Sequence, residues 1–468
     1  NNNLNLKVEI QKRQETEKHL RLHESQLELA LELVLNSRTW RMTGPFRRIF
    51  NLLKMNRSTS SNLQLDDNST NRDLERQNSS ASQEENGKYT EKRSAVTSQM
   101  KNLKSIYDEK AKKGLDVLFT SSERLVFPKE KDITLSIIII LYNQAHLGLV
   151  CFKSLLDHAD VKYELIIIDN ASKDSTEDLL RRIDNAKVIR NQRNLGFLEA
   201  VNQGAEVARG KYILLLNNDA IIQEDSLSKA VSTIESDPGV GAVGGKIKLI
   251  DGTLQEAGSI IWSDGSCLGY GRGEDPDDPK FMFKRQVDYC SGAFLLFRKT
   301  NFIELGGFDM DFAPAYYEES DFCIRLQKLG LKIIYDPYVN IVHYEFASSR
   351  NFKDALFLQE KNRKTLLVKH SEWLATKYSP EQKNILFARS SNTFPNILII
   401  DDRVPHPALG SGYPRSSDIL NSLASLDYNI TLYPLQFPID DWSSCYETLD
   451  DSIEIILDKG KHGLENFL

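Results

Sequence analysis

Lys211-Tyr-Ile-Leu-Leu-Leu-Asn-Asn-Asp219 decides how this chain is read. A largely apolar run passes into a short polar cluster that closes on one carboxylate. That is how a buried parallel strand delivers an acidic side chain to its C-terminal edge. Ligands of open α/β sheets bind outside that edge. A hard divalent cation takes oxygen ligands there, and a cation beside a diphosphate can carry the chemistry of a nucleotide-activated substrate. Asn and Asp are also ordinary residues after a strand, so the stretch alone leaves site and turn equally open.

The same pattern recurs on its N-terminal side. Ser136–Leu141, Glu164–Ile168 and Ala186–Ile189 read as further strands, with helical segments over His146–His158, Thr176–Ile183 and Gly196–Ala208. Asn143, Asp169, Asn194 and Asp219 follow the strands at intervals of about 25 residues, the rhythm of successive βα units in a doubly wound sheet. Downstream lie a strand at Gly241–Ile247, an apolar run at Tyr289–Phe297, a helix at Glu319–Leu329 and a strand at Leu331–Tyr335. The fold class expected is α/β, with this domain over residues 134–380.

The flanks differ in kind. Residues 1–57 read as helical: Leu6, Leu20, Leu27 and Val34 share one heptad position and Ile10 and Leu31 its partner, while Arg13, Glu17 and Glu24 interrupt the seam. Self-association through residues 4–35 and a solvated amphipathic helix both fit. Residues 37–57 carry Arg38, Arg41, Arg47, Arg48, Lys54 and Arg57 among Trp40, Phe46, Phe50 and Leu53, without an acid. Such a segment suits peripheral contact with an anionic membrane, or docking on its own protein. Residues 58–98 are too polar to bury a core and read as a linker, and 99–133 as a helical lead-in. Near Pro395 a new strand, Asn396–Asp402, opens a partial Rossmann-like segment over 395–468.

Bulk properties exclude several classes. A net charge of −7 gives no basic surface for nucleic acid. The five cysteines form no C-x-x-C pair and are odd in number, which disfavours zinc and a disulfide framework and fits a reducing cytosol. The longest aliphatic run, Ile137–Leu141, is too short to span a bilayer. The expected location is cytoplasmic, with peripheral contact at the inner face of the plasma membrane through 37–57.

Candidate site residues cluster at the strand ends. Tyr142 and Asn143 end the first strand, where an aromatic can stack on a base, and Asp169 ends the second as an acceptor for ribose hydroxyls or a base N–H. Asn194-Leu-Gly196 precedes a helix whose N-terminus favours an anion. Neither a G-x-G-x-x-G nor a P-loop is present. The acids of Tyr317-Glu-Glu-Ser-Asp321 open a helix; they read either as dipole partners or as the source of a general base with an upward-shifted pKa. His343 follows a strand-like run, and a neutral imidazole can complete a cation site with Asp219.

Taken together, Ser136–Asn143, Ile168-Asp-Asn-Ala-Ser172, Asn194-Leu-Gly-Phe197, Leu216-Asn-Asn-Asp219, Gly306-Gly-Phe-Asp309 and Tyr317–Asp321 resemble the family 2 glycosyltransferases of the GT-A fold, over residues 134–345. The resemblance implies transfer of a sugar, with inversion, from a nucleotide-diphosphate donor to a hydroxyl of a growing glycan such as O-antigen, capsule or cell-wall polysaccharide. It implies that Tyr142, Asn143 and Asp169 hold the nucleotide and that Asn194 and Gly196 line the donor pocket. Asn217, Asn218 and Asp219 take the place of the family's Asp-x-Asp, with Asp219 and His343 on Mg2+ or Mn2+. Glu319 takes the place of the catalytic Asp. Two residues depart from the pattern: Asn217 replaces the first acid, and Glu319 is one methylene longer than Asp. Residues 396–434 resemble the first βαβ unit of a family 4, GT-B glycosyltransferase. Two rivals stay open: a sugar-phosphate nucleotidyltransferase, disfavoured by Tyr142–His146 where a Gly-rich basic loop belongs, and a non-catalytic glycan-binding scaffold.

Overall fold

The computed structural model describes residues 102–345, 352–436 and 440–468. The proposed coiled coil, membrane segment and linker lie outside these residues. At the centre is one mixed sheet. Its N-terminal half is parallel: β1 (Leu135–Leu141), β2 (Tyr163–Asp169), β3 (Lys187–Arg190) and β4 (Tyr212–Leu216). Its second half adds β5 (Ala220–Ile222), β6 (Val240–Leu249), β7 (Leu254–Ala257), β8 (Arg285–Gln286), β9 (Phe294–Arg298) and β10 (Lys332–His343). The order is β8-β10-β6-β9-β4-β1-β2-β3, with β5 on β10 and β7 on β6. Strand β9 runs antiparallel between β4 and β6.

The aliphatic runs are strands because both faces of the sheet are covered, so every position can be apolar. Alternation then sorts side chains by face. Ile137, Ile139, Leu165, Ile167, Leu214 and Leu216 enter one core, with Phe152 and Leu155 of helix α1 (Ala145–His158). Ile138, Ile166, Ile168, Ile213 and Leu215 enter the other, with Leu198 and Val201 of helix α2 (Phe197–Val207). Helix α3 (Ser226–Ser236) joins the first core through Leu227 and Ile234.

The second core also anchors helix α4 (Glu318–Lys328). Phe322 packs against Phe297, Phe302 and Phe308 with ring centroids 5.0–5.8 Å apart. Such edge-to-face groups add about 0.5–1.5 kcal/mol per pair beyond area burial, and this one fixes where the helix N-terminus points.

Several boundaries differ from the expectation. The helix after β2 spans only Thr176–Leu180, because Ile183–Asp184 pairs in parallel with Leu125–Val126. The run from Tyr289 becomes a strand only at Phe294. The segments expected as two short strands after residue 331 are the single strand β10, which absorbs Pro337 through a register shift between Asp336 and Asn340.

Residues 396–468 build a second, parallel sheet from Asn396–Asp401, Asn429–Pro434 and Glu454–Ile455, with helix Tyr413–Ser425 crossing between the first two strands. It has its own core of Leu420, Ile430, Leu432, Leu449 and Ile453. Arg389 makes a paired bond to Glu454 at 2.8 and 2.7 Å, and Lys284 lies 2.6 Å from Asp451. Those part-buried pairs tie it to the main domain. All five cysteines are free. No helix among the described residues is long and apolar enough to cross a membrane.

Candidate active site

Beyond Leu216 the chain turns at once, with the Ala220 N–H donating to the Asn217 carbonyl at 3.1 Å. Strand β5 then lies against β10 with Ala220 opposite His343. This pairing brings the last residue of β10 to Asp219, 124 positions earlier in the chain: Nε2 of His343 is 3.0 Å from Oδ1 of Asp219. Tyr344 donates its N–H to the Asp219 carbonyl at 3.0 Å. Both side chains of the Asp219–His343 pair are buried.

The other ring nitrogen, Nδ1, lies 2.8 Å from Oε1 of Gln255. Gln255 stands at a bulge: Ile247 pairs with Glu256 and Lys248 with Leu254, which leaves Gln255 as the extra residue of β7. An extra residue re-aims a side chain out of strand alternation. The Asn217 amide nitrogen sits 3.4 Å from Nε2. Burial lowers the proton affinity of His343, but the charge and hydrogen bond of Asp219 outweigh it, so the imidazole titrates above its ordinary range.

These contacts test whether a cation fits. The Gln255 oxygen can only accept, so Nδ1 carries a proton; Nε2 faces the Asp219 carboxylate at 3.0 Å and the Asn217 amide nitrogen at 3.4 Å, so it donates to Asp219 while the ring is charged and offers a lone pair once that proton leaves. Nε2 and a carboxylate oxygen thus face each other across 3.0 Å, and either a proton or a metal cation can supply the positive charge between them. One imidazole nitrogen and one carboxylate oxygen suit a divalent cation such as Mn2+. Among the described residues no group of three or more His, Cys, Asp or Glu forms a closed cage, so substrate oxygens would complete the shell. The Asn218 side chain is buried beside them, its amide nitrogen without a hydrogen-bond partner.

At the ends of β1 and β2, the side-chain oxygen of Asn143 accepts from the Lys173 N–H at 2.8 Å. Ser172 Oγ accepts from the Asn143 N–H at 2.8 Å, and Asp169 Oδ1 accepts from the Ser172 N–H at 3.0 Å. Asn143 and Asp169 thus hold the loop after β2 against the end of β1, with the half-buried Tyr142 at the same edge. Asn194 accepts from the Gly196 N–H at 2.8 Å, which commits its oxygen to its own turn. Gly196 has φ +85°, and a Cβ there would stand 2.8 Å from that of Pro314. Asn170, which the sequence did not single out, bonds the Gly196 carbonyl and accepts from Leu195 and Asn191.

The acids open α4 after two consecutive residues in the left-handed region, Tyr316 and Tyr317, both at φ +73°. Each such non-glycine residue costs on the order of 1–3 kcal/mol. Asn362 offsets this by donating to the carbonyls of Phe312, Ala315 and Tyr316 at 2.7–2.9 Å. Asp321 is committed to structure, paired with His370 at 2.8 Å and Arg325 at 2.7 Å. Glu318 and Glu319 are different: each has a buried Oε2 without a hydrogen-bond partner. Burial pushes Glu319 up to about 7, and the negative charge of Glu256 adds to this while the Gly292 N–H opposes it. Burial and Glu319 itself drive Glu318 well above the carboxylate range.

Glu256 links the two ends. Its Oε1 accepts from the Ser291 N–H at 2.9 Å and its Oε2 from Ser259 at 3.2 Å. Its charge reaches both Glu319 and His343. Gln255 and Glu256 carried no sequence signal, since Leu254-Gln-Glu-Ala257 resembles any strand edge. The helix ending at residue 120 adds a lateral wall: Tyr107 packs on Tyr344 at 5.5 Å between ring centroids, and Asp108 lies 3.4 Å from Nε2 of His146.

Residues 136–306 match the model of glycosyl transferase family 2. The match covers β1 to β9 and includes Asp219; Glu319 and His343 follow it. Among curated relatives, the uncharacterized protein y4gI of Sinorhizobium fredii is 25% identical over 58% of this chain and 31% of its own length. The poly-beta-1,6-N-acetyl-D-glucosamine synthase of Staphylococcus aureus is 26% identical over 47% of this chain and 53% of its own. The chain thus spans about a third to a half of these relatives. Among solved structures, GalNAc-T7 with UDP, GalNAc and Mn2+ is 16% identical, with a TM-score of 0.40 over 55% of this chain and 57% of that one. The mannosyltransferase PcManGT from Pyrobaculum calidifontis, with GDP-Man and Mn2+, is 18% identical, with a TM-score of 0.36 over 71% and 90%. The matched region carries most of the mixed α/β sheet and its edge of polar strand ends.

Proposed function

We propose that residues 134–380 form an inverting, cation-assisted glycosyltransferase that moves a sugar from a nucleotide-diphosphate donor to a hydroxyl of a growing surface glycan. The observation that carries this reading is the facing pair Asp219 and His343, set at the strand edge of a region that matches family 2. The glycan-building synthase among its relatives supports the acceptor class.

Tyr142, Asn143 and Asp169 would face the nucleotide, and Asn194 and Gly196 the donor sugar side. Asn217 and Asn218 would flank the diphosphate. Asp219 and His343 would hold Mg2+ or Mn2+, which when bound offsets charge developing on the departing diphosphate. Glu319 acts as general base. As the acceptor oxygen forms its bond to the anomeric carbon, its proton passes to a carboxylate oxygen of Glu319. The bond from that carbon to the diphosphate breaks, and the electron pair leaves with the diphosphate. A single displacement inverts the centre, with no second carboxylate nucleophile. A carboxyl that titrates at about 7 suits this role, being ionised enough to accept the proton and basic enough to pull it.

Residues 395–468 are read as the opening of a second, GT-B-like unit, supported by the parallel strands 396–401 and 429–434 and their crossing helix. No catalysis is assigned to them. The location proposed is the cytoplasmic side of the plasma membrane.

A screen of nucleotide-sugar turnover with Mn2+, Mg2+ or EDTA tests the reading, on wild type, Asp219→Ala and Glu319→Gln. One donor turned over, with loss in EDTA and in both variants, is the expected result. Binding of no donor by the wild type would overturn it in favour of a scaffold.

A further inference from the structure

We propose that Gln255 is a positioning residue for the cation site: through Oε1 it keeps the proton on Nδ1 of His343 and so aims the bare Nε2 at Asp219. The proposal rests on the cation-assisted reading above for what the site binds, and on geometry alone for what Gln255 does. Three observations carry it. The Gln255 oxygen lies 2.8 Å from Nδ1 in a buried contact. With Nδ1 engaged there, Nε2 is the nitrogen that faces Asp219 at 3.0 Å and Asn217 at 3.4 Å, and the one that gives up its proton when a cation binds. The β-bulge at 255 places the side chain outside strand alternation, so that Gln255 and its neighbour Glu256 are both buried, one on His343 and the other on Ser291 and Ser259.

The alternative tautomer shows what Gln255 prevents. With the proton on Nε2, the ring would donate to Asp219 in a closed pair, and neither group would offer a lone pair to a cation. Partners that fix the far nitrogen of a ligating histidine are worth about 10- to 100-fold in metal affinity. The device also matters more here than in a three-ligand site, because His343 supplies half of the protein donors.

The full chain is tested with two variants. Gln255→Leu removes the acceptor at similar size, and Gln255→Glu keeps an acceptor oxygen. Mn2+ binding is read by electron paramagnetic resonance, without substrate. The His343 tautomer is read by 15N–1H correlation at pH 9 in EDTA, with thermal melts recorded alongside. Expected are an Nδ1–H ring in the wild type and in Gln255→Glu, and loss of that tautomer in Gln255→Leu with Mn2+ affinity weakened about 10- to 100-fold. Wild-type affinity and tautomer in Gln255→Leu would overturn the proposal. So would a Gln255→Glu variant as impaired as Gln255→Leu, because the acceptor would then be irrelevant. If the wild type binds no Mn2+, the cation reading fails, and the tautomer in wild type and Gln255→Leu alone decides the role of Gln255. Mn2+ binding without sugar transfer would sink the proposed function and leave this inference standing.

Discussion

Replacing Glu319 by Gln should cost activity and return stability, and the size of the return depends on pH. The carboxyl is buried, one oxygen has no hydrogen-bond partner, and its pKa stands at about 7 against an ordinary 4.5. A raised folded pKa means the folded state holds the proton more tightly than the unfolded chain. The contribution is therefore fully present below pH 4.5 and is lost as pH rises through 7. At about 1.4 kcal/mol per unit, the wild type gives up on the order of 3 kcal/mol between those limits. Gln keeps the shape and never ionises, so the stability difference between variant and wild type should widen by that amount from pH 4.5 to pH 8.5. Urea unfolding at five or six pH values across that range measures it. Transfer should meanwhile fall by roughly 10²–10⁴-fold, and wild-type turnover should climb as pH passes 7. Parallel stability profiles for the two proteins would refute the claim that burial holds this carboxyl up. A variant that still transfers sugar at the wild-type rate would refute its assignment as base.

Three further outcomes are expected. Asn217→Asp restores a second acid beside Asp219 and His343 and should tighten Mn2+ binding severalfold; titration calorimetry checks this, and unchanged affinity would place residue 217 away from the cation. Gly196→Ala forces a side chain onto φ +85° and into Pro314; a stability loss of about 1–3 kcal/mol with weaker donor binding is expected, and a wild-type melt would contradict the close approach. Arg389→Ala leaves Glu454 buried without its partner and should cost about 3–5 kcal/mol at that interface. Limited proteolysis should then release residues 396–468 early; an unchanged digestion pattern would mean that the interface rests on other contacts.

The parallel half of the domain was legible in the sequence because its strands are continuous aliphatic runs, each stopped by a polar residue. Ile137–Leu141 and Ile213–Leu216 admit few other readings once helices alternate with them. Glu319 was legible as a helix-opening acid, but not its raised pKa, which comes from burial and from the charge of Glu256 some sixty positions earlier. The second half was harder. Strand β9 enters antiparallel between two strands that precede it, a long-range choice that leaves no local mark. Pro337 broke β10 into two apparent segments, although a register shift carries the strand past it. Gln255 and Asn362 act through polar contacts with distant residues, and such contacts have no period and no motif. The Asn194 side chain, read as a pocket residue, serves its own turn as well.

The antiparallel entry of β9 bears on how the protein is made. During synthesis, β1 to β4 and their helices can assemble as the chain emerges, since each pairs with a neighbour already present. The edge of β4 must then wait for residues 294–298, and Asp219 must wait for residue 343. Contacts of such long sequence separation form late and slowly. A ribosome-bound or truncated chain that stops short of β10 therefore presents the edge of polar strand ends without the Asp219–His343 pair. On the proposed cation reading, Mn2+ affinity becomes a measure of chain completion: a nascent chain should gain it in one step, when the last strand of the sheet docks.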